Sequence, residues 1–136
     1  MSKIVIVVVL VFSDYSCQQN INDVRVNLQR EISGFQTYCI AKTHPDQLQI
    51  ENVLINSDFG EDESLKCFFD CVLTTTLAFD QNFNFDNDFV VALVGDGRQD
   101  IVNGVIDQCK AADGYSDCGK TYEMLRCALT LISDLI

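Results

Sequence analysis

The chain contains a single histidine, a single proline and only nine lysines and arginines among its 136 residues. Each scarcity excludes something. With His44 as the only imidazole, a zinc site of paired cysteines and histidines has too few ligands, and a cysteine nucleophile has no obvious base. Twenty Asp and Glu outweigh the basic residues and leave a net charge of −11. Such a surface repels phosphate backbones and anionic lipid, so neither nucleic acid nor a membrane surface is expected as a partner. The apolar run Ile4–Phe12 is nine residues long, well short of the roughly 20 that span a bilayer. Internal repeats, low-complexity tracts, interdomain linkers and N-x-S/T acceptors are also missing. The carboxylates are scattered, as on a solvated face, and nothing pairs a nucleophile with a base. No enzymatic activity, cofactor or metal is expected.

What is present begins with a secretory pattern. Lys3 precedes the apolar run, which turns polar with small residues after it, and these are the parts of a signal peptide. Residues 1–17 are assigned to it, with cleavage somewhere between 13 and 17. Asp14 and Tyr15 fit a lipid anchor on Cys17 poorly. Residues 18–136 then form one secreted, extracellular domain, small enough for covalent staples to matter. Apolar residues make up 48% of the chain, enough for a core.

Seven cysteines are present, and removing Cys17 with the signal leaves six. An even set in a secreted chain reads as three disulfides. The six are Cys39, Cys67, Cys71, Cys109, Cys118 and Cys127, with 27, 3, 37, 8 and 8 residues between them. Cys67 and Cys71 lie one helical turn apart on one face, suited to bridging two different neighbours. Spacing alone leaves 15 connectivities open.

The apolar pattern is helical throughout. A first helix is expected over residues 23–42, with Val24, Leu28, Ile32, Phe35, Cys39 and Ile40 inward and Gly34 tolerated. Pro45 suits the first position of a second helix, which runs to about Ile55. Asp62 caps a third, Glu63 to Phe79. A loop with Phe83 and Phe85 leads to a fourth, Asp86 to Val94, and the fifth covers 98–110. The sixth, capped by Asp117, carries Cys118, Tyr122, Leu125, Leu129, Ile132 and Ile136 on one stripe. The run Phe89–Val94 also has the composition of a buried strand, but it would lack a partner.

Signal, helices and cysteine spacing together resemble the insect odorant-binding proteins, of the pheromone-binding and general odorant-binding type. The resemblance covers essentially the whole mature chain, and the intervals of three and eight residues carry it. It implies an all-α fold of about six helices around an internal apolar cavity, stapled by three interlocked disulfides. The implied pairs are Cys39–Cys71, Cys67–Cys118 and Cys109–Cys127. It implies a carrier that binds and solubilises small hydrophobic ligands, odorants or pheromones among them, for olfaction. A second copy of the chain and a chemosensory receptor are further candidate partners. Only nine residues follow Cys127, too few for the long pocket-entering C-terminal segment of some members, leaving Leu135 and Ile136 to plug one end. His44 reads as an exposed loop residue. The alternative reading is a secreted salivary or venom protein that acts through its acidic surface.

Candidate ligand contacts follow from the apolar stripes. Phe69, Val72, Thr75 and Phe79 come from the third helix, and Leu93 and Ile106 from the fourth and fifth. Tyr122, Leu125, Leu129 and Ile132 come from the last. Phe83 and Phe85 are candidate lid residues, and Tyr38 and Tyr122 offer hydroxyls at a pocket edge. Thr75 is expected to bond either its own helix or a ligand oxygen.

Overall fold

Asn20 caps the first of the described helices. Its side chain accepts from the Asp23 amide at 3.1 Å, while the Asp23 carboxylate accepts from the Asn20 amide at 3.3 Å. This reciprocal box starts helix α1, Ile21–Ile32, which buries Val24, Leu28 and Ile32. The structure is a computed structural model that describes residues 20–113 and 115–136. The expected signal peptide, with Cys17, lies outside the described residues.

The helix expected over 23–42 is not continuous. Ser33–Phe35 tightens into a 3-10 turn before α2, Gln36–Thr43. Ser33 donates its hydroxyl to the Arg30 carbonyl at 2.9 Å, and Gly34 follows with the weakest helix preference of any non-proline residue. Pro45 is also displaced from its expected place. His44 ends α2 in the left-handed region at φ 56°, and Asp46 caps α3, Gln47–Asn56, by accepting from the Leu48 amide. Pro45 therefore precedes the cap.

Asp62 caps α4, Glu63–Thr75, as expected. That helix ends four residues before Phe79. Thr75 and Thr76 donate to the carbonyls of Cys71 and Leu73 at 2.7 and 3.1 Å, and Leu77 turns left-handed at φ 60°. The Ala78 amide then reaches back to the Leu73 carbonyl. Phe79 pairs with Phe85 as an isolated antiparallel bridge, organised by Asp80, whose carboxylate accepts from the Asn82 and Asn84 amides.

Asp86 caps α5, Asn87–Val94, so the valine-rich run is helical. Helix α6 is Gln99–Gln108 and α7 is Asp117–Leu135. The cap of α7 is Ser116, whose oxygen accepts from the Gly119 amide at 3.1 Å. Asp117, expected there, instead occupies the first turn, where its charge suits the helix dipole.

Helix α4 is the hub, packed along α7 and against α2. On the other side α1 meets α3, α5 and α7, and α6 joins α5 to α7. Counting α1, the 3-10 turn and α2 as one bent unit, six helical units among the described residues enclose one apolar core. Among the described residues there is no β-strand, and no helix is long and apolar enough to cross a membrane. Three disulfides staple the bundle: Cys39–Cys71 ties α2 to α4, Cys67–Cys118 ties α4 to α7, and Cys109–Cys127 ties the end of α6 to α7. These are the pairs the resemblance implies.

Candidate functional site

Helices α4 and α7 face each other with the apolar stripes that their three- and four-residue spacing creates. Phe69, Val72, Tyr122, Leu125 and Ile132 are fully buried there, with Leu129 and, from α5, Leu93 at 1% exposure. The side chains expected to wall a ligand space thus meet in one core cluster and pack against one another. Aromatic rings run through it in two groups. Phe68, Phe69, Tyr122 and Phe59 form a chain of edge-to-face and tilted contacts 5.1 to 5.9 Å apart. Phe83, Phe79, Phe85 and Phe89 form a second chain, from the surface loop down to α5.

Other expected residues lie differently. Thr75 is exposed and donates to its own helix at the Cys71 carbonyl, 2.7 Å away. An inward role for its hydroxyl does not hold, because α4 turns that side outward. Phe79 and Ile106 are half-buried against the core. Phe83 keeps 40% of its surface and stacks on Phe79 at 5.1 Å, while Phe85 is buried. Tyr38 is 59% exposed and lies on the outside of the bundle. His44 is exposed, Leu135 is half-exposed and Ile136 rests on the core.

The sequence reading missed the strap over the first aromatic chain. Residues 57–62 cross Tyr122, whose hydroxyl donates to the Gly60 carbonyl at 2.8 Å. Burial pushes the Tyr122 phenol up to about 12. The Arg126 guanidinium lies over the rings of Phe59 and Tyr122 at 5.2 and 5.6 Å and pairs with Glu61 at 3.0 Å. Lys66 pairs with the other Glu61 oxygen at 3.2 Å. The hydrogen bond from Arg126, and then those of Lys66, hold the Glu61 carboxyl below its ordinary value. Tyr122 and Arg126 stand one turn apart on α7, which is visible in the sequence. That Phe59 would fold back onto them is not, because it sits among turn residues.

A second missed feature is a cleft of about 540 Å³ on the outside of the bundle, between α2, α4 and the start of α7. Tyr38, Lys42, Thr43, Glu63, Asp70 and Thr75 line it, over the sulfurs of Cys67, Cys71 and Cys118. Asp70 accepts from the buried Thr121 hydroxyl at 2.8 Å. Burial, against that hydrogen bond, pushes its carboxyl above the usual value. Glu63, Cys67 and Cys118 also cluster within metal-binding reach, but both sulfurs are committed to one disulfide and cannot act as thiolates.

This architecture recurs in solved structures. A medfly odorant-binding protein superposes with a TM-score of 0.57 at 19% identity, covering 76% of this chain and 92% of its own. Odorant binding protein 5 of Apis mellifera gives 0.55 at 18%, covering 76% and 87%. At these identities the likeness speaks for the fold. No curated protein matches the sequence significantly. The PBP/GOBP family model matches residues 22–130, from the first turn of α1 to near the end of α7 and across all three disulfides, and the chain therefore belongs to the PBP/GOBP family.

Proposed function

We propose that the protein is an extracellular carrier that takes small hydrophobic molecules, odorants or pheromones, into the space between α4, α5 and α7 and solubilises them for delivery to a chemosensory receptor. The observation that carries this reading is the continuous apolar interior of Phe69, Val72, Leu93, Tyr122, Leu125, Leu129 and Ile132, inside a family fold. These side chains pack on one another, so uptake proceeds by rotamer shifts within walls held by the disulfides. Phe79, Phe83 and Ile106 stand at the margin, with Phe83 as the exposed ring of the second aromatic chain. Burying some 250 Å² of ligand yields roughly 6 kcal/mol before entropic losses, which bounds affinity from this burial at tens of micromolar.

Displacement of a fluorescent apolar probe from the oxidised mature protein tests this, scanned over alcohols, aldehydes, esters and fatty acids. Saturable binding with micromolar displacement is expected, and Leu125→Phe, which adds volume to the packed centre that a ligand must part, should weaken it while the helical spectrum is retained. A correctly bridged sample that binds no probe overturns the carrier role. The acidic surface would then be the place to seek a partner.

A further inference from the structure

The outer cleft between α2, α4 and α7 shares no residue with the apolar interior, since Thr75 faces outward into the cleft, and its chemistry is of another kind. Thr43 donates its hydroxyl proton to the Cys39 carbonyl at 2.6 Å, and Thr75 donates to the Cys71 carbonyl at 2.7 Å. Both oxygens are left to the cleft as acceptors. Asp70 and Glu63 add two carboxylates. Each already accepts one hydroxyl hydrogen bond, Asp70 from Thr121 at 2.8 Å and Glu63 from Ser116 at 3.2 Å. Neither makes an ion pair, since those among the described residues engage Glu61 and Glu123; the positive charge acting on Asp70 is the more distant Lys42. Of the two, Glu63 is exposed and Asp70 half-buried, and Asp70 is the unfavourable one, because it has lost water and gained only a hydroxyl within hydrogen-bond reach.

The apolar part of the cleft is the Tyr38 ring and the sulfurs of Cys67, Cys71 and Cys118. Among the described residues Lys42 is the one cation of the lining. Its ammonium stands 5.9 Å from the Tyr38 ring centroid, so the chain itself seats an amine on this ring. The lining therefore offers an aromatic face, an excess of acceptors and a net negative charge. Two disulfides brace the helices that carry it.

We propose that this cleft is a second binding site, distinct from the apolar interior, for a small organic cation of the arylalkylamine class. The ligand's ammonium donates to Asp70 and Glu63, and its ring lies against Tyr38 and the disulfide sulfurs. Such a contact joins a charge-assisted hydrogen bond to a cation–π environment. Lys42 competes for the same carboxylates and ring. Anions are disfavoured by the two carboxylates, and a neutral alcohol lacks the charge that Asp70 is missing. Groups facing Asp70 from neighbouring elements are Thr121 and Asp117 of α7 and Lys42 of α2, and only the last is cationic.

Calorimetric titration of the full oxidised chain with phenethylamine at pH 7, beside neutral 2-phenylethanol, tests the site. Saturable amine binding is expected, with the alcohol weaker by about tenfold or more, the scale of one hydrogen bond to a charged group. Asp70→Asn keeps an acceptor for Thr121 and should lower amine affinity by a similar factor. Lys42→Met should raise it, and displacement of the apolar probe from the interior should be unchanged in both variants. Failure of the amine to bind, equal binding of amine and alcohol, or an Asp70→Asn variant that binds like the parent overturns the proposal. So does one-to-one competition between the amine and the apolar probe, which would put the amine in the interior. Loss of probe binding with amine binding retained would strike the carrier reading and leave this one standing.

Discussion

Tyr122 combines a fully buried ring with a phenol committed to the Gly60 carbonyl. Its proton is held more tightly in the fold, up to about 12 against an ordinary 10. Between those values the unfolded chain releases a proton that the fold retains. The phenol's contribution to stability is therefore fully present below about pH 10 and is lost as pH rises toward 12. Denaturant titrations at pH 9 and 11 should show this fall, and Tyr122→Phe should flatten it. At neutral pH the same variant should lose about 1 kcal/mol, the usual net worth of one hydrogen bond. Asp70 has the same sign in the carboxylate range, so at pH 7 its cost is already present. Its carboxyl is raised, so ionisation opposes folding above the ordinary carboxylate range, and Asp70→Asn should leave the protein as stable at pH 7 or more so. At this scale the sequence was informative for inward apolar positions such as Phe69 and Leu125, where periodicity decides the face. It was uninformative for Thr75, which sits beside the arc; there the bond to its own helix prevailed. Asp70 and Lys42 come together only through tertiary packing, which no local pattern encodes.

Helix α4 is held from two sides because Cys67 and Cys71, one turn apart, bridge α7 and α2. Cys67–Cys118 spans 51 residues and Cys109–Cys127 spans 18. On chain entropy alone, their removal as paired serine variants should lower stability by about 4 and about 3 kcal/mol, a ranking that urea denaturation would read. Helices α3 to α7 were legible as elements, since each carries an apolar stripe and most carry a polar cap. Boundaries were less so. The end of α4 depended on two threonines turning to their own carbonyls, and the break at 33–35 on a serine doing the same beside Gly34. These are side-chain choices that hydrophobic period does not register.

For the whole molecule, the excess of 11 negative charges is the feature composition states most plainly. Carboxylates titrate near pH 4, so solubility should pass through a minimum in that range and recover above it, which a precipitation series would detect. Architecture was accessible because six cysteines at particular intervals narrow the choice of fold far more than hydrophobicity does. The outer cleft was not, since it is a gap between elements rather than a pattern within one. The spacing that clamps α4 also has a kinetic side. In an unfolded chain the shortest loop closes first, which favours a bond between Cys67 and Cys71 that the native fold never makes. The native partners lie 18, 32 and 51 residues apart. Oxidation of the reduced chain should therefore pass through wrong pairs that thiolate exchange has to resolve, and added disulfide isomerase should shorten the time to the native set of three.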